Sequence, residues 1–168
     1  MPPEHTLYLI RHGIAEERGD AWPDDRKRPL SADGVKKLRR SGRGLARLVT
    51  RLDIILTSPL VRARQTAEIV ASVFEPCPAI VHLDALAPGG SAASVLSALQ
   101  THTREVSTAI VGHQPDIGAL AARLIGARHG IDFKKGAVCR IDVQTLPPAR
   151  PGALRWFATP RILRSINH

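Results

Sequence analysis

Four short apolar runs, each followed by a stretch with a helical spacing of apolar residues, constrain this chain more than any other feature. They read "TLYLIR" (6–11), "LDIILTS" (52–58), "PAIVHL" (78–83) and "VSTAIVGH" (106–113). The first has apolar residues on both faces, as in a central strand of a parallel sheet, the second reads as another buried strand, and the other two as a third and a fourth strand. Between the first two, Val35, Leu38, Leu45 and Leu48 recur at near-helical spacing, and Ser31 or Asp33 can cap that helix. "PLVRARQTAEIVASVF" (59–74) reads as a helix opened by Pro59, a residue favoured at the first helical position. "ASVLSALQTH" and "PDIGALAARLIG" read as two more helices. "AVCRIDVQ" and "ALRWFAT" alternate around "TLPPARPG", which predicts a closing antiparallel hairpin. The expected fold is α/β: one domain over residues 1–168, a three-layer sandwich with a mainly parallel central sheet, helices on both faces and a C-terminal antiparallel hairpin.

In such sheets ligands bind beyond the carboxyl ends of the strands. Three strand ends carry polar groups here: "RHG" (11–13), "TSPLVRAR" (57–64) and "GHQPD" (112–116). All three point to one edge of the sheet. Neighbours in a regular strand face opposite sides, so Arg11 and His12 can serve one ligand only where the strand has ended. Gly13 supplies a permissive backbone for that turn. A neutral imidazole is a competent nucleophile toward phosphorus, and a guanidinium binds phosphoryl oxygens. Arg62 and Arg64 fall in the first turns of a helix whose free N–H groups favour an anion, with Arg62 nearer the start. Arg64 reads better as solvating a helix face. Taken singly, "RHG" is a solvated strand end and His113 a structural histidine. Converging on one edge, two arginines and two histidines read as an anion site.

The charge balance agrees. The 168 residues carry a formal net charge of +9, and only five of the 24 basic residues are lysine. Such an excess favours an anionic partner. Aromatic residues are 4% of the chain, too few for stacking platforms, and no zinc-finger or RNA-binding signature is present, so nucleic acid is not the expected partner. A metal is not expected: there is no HExxH spacing, and His12 and His113 would sit badly as ligands beside guanidinium groups. No cofactor is expected either. Cys77 and Cys139 lie far apart and read as thiols in a reducing cytoplasm. No apolar run approaches the roughly 18–20 residues of a membrane span, and "MPPEHTLYLIRHG" lacks a secretory pattern, so a cytoplasmic location is expected.

The segments "YLIRHGIAE", "RPLSADG", "TSPLVRARQTAE", "LAPGGS", "VGHQPDIG" and "WFATPRIL", in that order over nearly the whole chain, resemble the histidine phosphatase superfamily, specifically its small SixA-type phosphohistidine phosphatases. The resemblance implies a phosphoglycerate-mutase-like fold. It also implies that His12 attacks phosphorus and is transiently phosphorylated, with Arg11, Gly13, Arg62 and His113 around the phosphoryl group. Larger members place a carboxylic acid after the third strand to protonate the leaving group. Here Asp84 in "VHLDALAPGGS" is the nearest carboxylate, and Ala85 stands where the SixA-type pattern often has an acid, so Asp84 is a weak candidate. A phosphohistidine leaves as an imidazole, whose conjugate acid has a pKa of about 6.5, and needs little help from an acid. The chain has little room for a cap insertion, which implies an open site able to take a phosphorylated side chain on a protein. Arg18, Arg26 or Arg28 of the loop "EERGDAWPDDRKRPL" could meet an acidic partner at the rim, or simply solvate it. The leading expectation is a phosphohistidine phosphatase acting on proteins. The alternatives are a broad phosphomonoesterase for small phosphorylated metabolites, a phosphate-binding regulatory module, and a nucleic-acid binder with steep salt dependence.

Overall fold

The structure is a computed structural model, and it describes residues 4–166. One six-stranded sheet runs through it: β1 (His5–Arg11), β2 (Ile54–Thr57), β3 (Ala79–His82), β4 (Ser107–Gly112), β5 (Val138–Val143) and β6 (Ala153–Ala158). Across the sheet the order is β3-β2-β4-β1-β5-β6. The pairs β3–β2, β2–β4 and β4–β1 are parallel, while β1–β5 and β5–β6 are antiparallel. The mainly parallel sheet and the closing hairpin expected from the sequence are both present.

Side-chain alternation divides the interior into two layers. Along β1, Leu7 and Leu9 enter one core and Tyr8 and Ile10 the other, all of them buried. The first core is covered by α3 (Ala92–Ala98) and α4 (Asp116–Ile125). The second is covered by α1 (Ala32–Leu48), α2 (Val61–Ala71) and α5 (Pro160–Ile166). The chain leaves β1 toward α1 on one face and leaves the adjacent β4 toward α4 on the other. Neighbouring parallel strands whose connections part to opposite faces open a crevice at their carboxyl ends. Arg11 pairs with Gly112 in that register, so His12 and His113 emerge side by side at the crevice.

Several boundaries differ from the sequence expectation. Ser31 is the cap of α1, its hydroxyl accepting from the Gly34 N–H at 3.0 Å, and Asp33 lies inside the helix. Pro59 does not open α2. Leu60, with extended backbone, is the N-cap, and its N–H donates to Ser58 Oγ at 3.3 Å, so two residues bend the chain before the helix starts. The helix α5 was not anticipated: the periodic signal is only two turns long and follows directly on a strand. Thr159 starts it, its carbonyl accepting from the Leu163 N–H. Among the described residues no helix is long and apolar enough to cross a membrane.

The seam between α1 and α5 depends on Gly44. A Cβ at that position would run into the backbone carbonyl of Leu163. In a free helix Gly→Ala is favourable by about 1 kcal/mol. Overpacking typically costs about 1–3 kcal/mol, and here no rotamer can relieve a clash with backbone. Gly44→Ala is therefore expected to lower the urea midpoint; a raised midpoint would show that α5 moves aside freely.

Candidate active site

The backbone around the nucleophile candidate is pinned from three sides. The His12 N–H donates to Gly112 O of β4 at 3.0 Å, and the Arg11 N–H donates to Ala137 O at 3.1 Å. The Gly136 N–H reaches both Arg11 O and His12 O at 3.0 Å, with Gly136 at φ +85°, a backbone region that favours glycine. The Gly13 N–H donates to Thr66 Oγ1 at 3.1 Å, and that hydroxyl donates to Arg62 O at 2.7 Å. Gly13 thereby plays a different part from the one expected. Its φ is not positive and its amide is occupied by Thr66, so it offers no donor to a phosphoryl group. A Cβ there would lie 3.3 Å from Leu38 Cδ2 and 3.4 Å from Leu30 Cδ2, so these side chains would have to give way slightly.

The Gly13 carbonyl accepts from His12 Nδ1 at 2.7 Å. A carbonyl has no proton to give, so Nδ1 carries the hydrogen and Nε2 keeps its lone pair. Burial pushes the His12 pKa down to about 3, and His113, Arg62 and Arg11 add to the effect against the opposing hydrogen bond to Gly13. The ring is neutral at any ordinary pH.

His113 lies with its ring centroid 5.1 Å from that of His12. Its Nε2 pairs with Ser58 Oγ at 2.8 Å, and its pKa falls to about 4, first through burial and then through Arg62, partly offset by Asp25. Arg62, 2% exposed, projects from the first turn of α2. Its terminal nitrogens are held by Asp25, one on the carbonyl at 2.8 Å and one on the carboxylate at 2.9 Å. Arg11 donates through one terminal nitrogen to Phe133 O at 2.6 Å. Both guanidinium groups have pKa values lowered by burial, yet an arginine retains its charge.

Three buried nitrogens in this cluster have no partner in the protein: Arg11 Nε, Arg62 Nε and His113 Nδ1. Buried polar groups are almost always hydrogen-bonded, so these three nitrogens can pair with a ligand or with water. Two fixed cations and two neutral imidazoles suit an oxyanion.

Other expectations are revised. Asp84 opens the 3-10 turn Asp84–Leu86, is exposed, and makes no side-chain hydrogen bond or ion pair with Arg11, His12, Arg62 or His113. The carboxylate bonded into the site is Asp25, which the sequence reading did not single out. Arg28 first, then Arg62, hold its pKa below the usual carboxylate value despite partial burial. Arg28 is buried and ties Asp25 to Glu16 O, so it does not stand at the rim, whereas Arg18 and Arg26 are exposed. Arg64 is half-buried and outside the cluster. Ser58 and Thr66 were also missed, although both lie in the quoted "TSPLVRARQTAE", and the four-residue step from Arg62 to Thr66 places them on one helix face.

Residues 7–87 match the sequence pattern of the Histidine phosphatase superfamily (branch 1). The chain is 31% identical over 150 residues to the phosphohistidine phosphatase SixA homolog of Haemophilus influenzae, covering 81% of this chain and 87% of that protein. The chain belongs to the histidine phosphatase superfamily, and within it to the SixA type. Phosphohistidine phosphatase SixA of Escherichia coli is 29% identical over 156 residues, covering 92% of this chain and 93% of its own. The structure of the protein histidine phosphatase SixA complexed with tungstate superposes with a TM-score of 0.81 at 27% identity, over 93% of this chain and 97% of that one. The fold is thus the phosphoglycerate-mutase-like sandwich, and the SixA-type chain is a phosphatase.

The depressed histidine pKa values have a measurable consequence. Below the unfolded value of 6.5 the unfolded chain binds these protons more readily than the folded one. The stability they contribute is therefore complete above 6.5 and declines as the pH falls toward 4 and then 3. In NMR titration from pH 8 to about pH 5, the ring signals of His12 and His113 are expected to stay those of neutral imidazole. A midpoint near 6.5 for either ring would contradict the electrostatic picture.

Proposed function

We propose that this phosphatase hydrolyses phosphohistidine on proteins through a covalent phosphohistidine intermediate on His12. The observation that supports the reading is a neutral His12 with Nδ1 tied to Gly13 O and Nε2 left available, beside three unpartnered buried nitrogens. In the first step the Nε2 lone pair forms a bond to phosphorus while the bond from phosphorus to the substrate imidazole breaks. The substrate ring carries a proton on its other nitrogen, so it leaves with that electron pair as a neutral imidazole. In the second step water attacks the phosphorus, the bond to Nε2 breaks, and inorganic phosphate departs.

Arg11 Nε, Arg62 Nε and His113 Nδ1 are the donors available to the phosphoryl oxygens. For His113 to donate from Nδ1, its Nε2 must accept from the Ser58 hydroxyl, and the Leu60 N–H already occupies an acceptor position on that hydroxyl. The tungstate bound to the related SixA is likewise an oxyanion, which accords with this use of the fold.

The leaving group separates this reading from that of a broad phosphomonoesterase. An alkoxide needs a proton from an acid. Asp84 is exposed and contacts none of the four side chains, and Asp25 is held ionised by Arg28 and Arg62. A departing imidazole, with a conjugate acid near about 6.5, is free of that requirement. The same reading takes the whole chain as one catalytic domain without a cap insertion, in keeping with a single sheet built from all six described strands.

Turnover of a histidine-phosphorylated protein and of an alkyl phosphate, with chelator present, tests the proposal. Wild type is expected to dephosphorylate the protein and to leave the alkyl ester nearly untouched. His12→Ala should abolish turnover, and Arg62→Ala or His113→Ala should each reduce it about 10²–10³-fold. Asp84→Asn should change nothing. Faster turnover of the alkyl ester, with loss in Asp84→Asn, would replace this reading with the phosphomonoesterase one.

A further inference from the structure

A cleft of about 260 Å³ begins one residue past the nucleophile and contains none of Arg11, His12, Arg62 or His113. Gly13 and Ile14 form one wall, and Gly136, whose amide holds the Arg11 and His12 carbonyls, forms another. Lys37, Lys134, Lys135, Arg161 and Arg164 line it, with no carboxylate among its described lining residues. Lys37 is paired with Asp33 at 2.7 Å; the other four make no ion pair among the described residues. The lining also includes the apolar residues Ile14, Leu38 and Pro160.

Three of the five lysines in an arginine-dominated chain stand at this one cleft. The contrast with the catalytic cluster is chemical. There, a buried guanidinium and a half-buried one, Arg62 and Arg11, are fixed by Asp25 and Phe133 O, which suits planar recognition of one oxyanion. Lysine is a point charge on a flexible stem and adapts to carboxylates in varied positions. Lys134, Lys135 and Arg161 are exposed, so they can move to meet such groups. Apolar and charged residues side by side also suit a protein–protein contact.

We propose that this cleft docks an acidic surface of the substrate protein beside its phosphorylated histidine. The inference rests on the protein-phosphohistidine reading above. Gly13 follows His12 in the chain and lines the cleft, so a protein that presents its phosphoryl group to His12 brings its own surface close to it. A small phosphoramidate carries no such surface. Charge at the cleft raises the encounter rate with an acidic partner and selects against a basic one.

The test compares wild type with Lys135→Glu/Arg161→Glu on three substrates. These are a histidine-phosphorylated phosphotransfer domain of net negative charge, a phosphohistidine peptide without acidic residues, and N-phosphoimidazole. The double variant should raise KM for the acidic domain about tenfold or more, with kcat retained and the salt dependence of kcat/KM flattened. Its turnover of the peptide and of N-phosphoimidazole should match wild type, which also shows that the site remains folded. An unchanged KM for the domain, or an equal loss on all three substrates, would overturn the docking role while leaving phosphohistidine hydrolysis standing. If wild type cleaves alkyl phosphate but none of the three, the phosphohistidine reading fails and the docking role fails with it.

Discussion

The hydrogen bond from His12 Nδ1 to the carbonyl of Gly13, 2.7 Å long, is the interaction on which the rest of the site depends. It joins a side chain to the residue that follows it, so it exists only if the backbone turns sharply where β1 ends. That turn is held from outside. Gly112 of β4 and Thr66 of α2 each accept from one N–H of the Arg11–Gly13 segment, and Gly136 ahead of β5 donates to two of its carbonyls. Two strands and a helix distant in sequence thus set the orientation of one imidazole. The sheet order matters for the same reason, because β1 lies between β4 and β5 and can be gripped from both sides.

Packing positive charge around a histidine that must stay neutral has a cost and a use. Burial together with Arg11, Arg62 and His113 drives the His12 pKa down to about 3, which preserves the lone pair of Nε2. The same cations and unpaired nitrogens are poorly satisfied without an anion, and Asp25 partly relieves Arg62 by occupying its terminal nitrogens. Asp25 is 43% exposed at its side chain and is bridged to Arg28, so it sits at the boundary between the buried cluster and the charged loop outside. In the proposed reaction these fixed donors would need little reorganisation to meet the phosphoryl oxygens.

Much of this was legible in the sequence for identifiable reasons. Buried parallel strands are marked by short two-sided apolar runs, and their carboxyl ends carried Arg11, His12, Arg62 and His113 in motifs that stand out from their surroundings. The supporting residues were less visible. Thr66 and Ser58 act through single hydroxyls whose value depends on a fold-level approach, and Gly136 matters because of a bond to a strand 125 positions earlier. Asp25 lay in a loop crowded with charges, where sequence gives no reason to choose one carboxylate over another. Gly13 was misjudged because a glycine after a strand suggests a positive φ, while the structure gives it none and sets it close to Leu30 and Leu38. Pro59 was misjudged because its helix-starting preference cannot show that Ser58 first draws the chain into a bend.

The central claim is that His12 Nε2 carries the phosphoryl group between the two half-reactions. The most direct measurement is to mix the enzyme with a phosphorus-labelled phosphohistidine substrate, stop the reaction with base on the millisecond scale, and locate the label by phosphorus NMR and peptide mapping. The account predicts a phosphoramidate on the His12 peptide, bonded at Nε2, that forms and decays at rates matching turnover. Label on any other residue, label at Nδ1, or steady release of phosphate with no labelled enzyme at any time would contradict it.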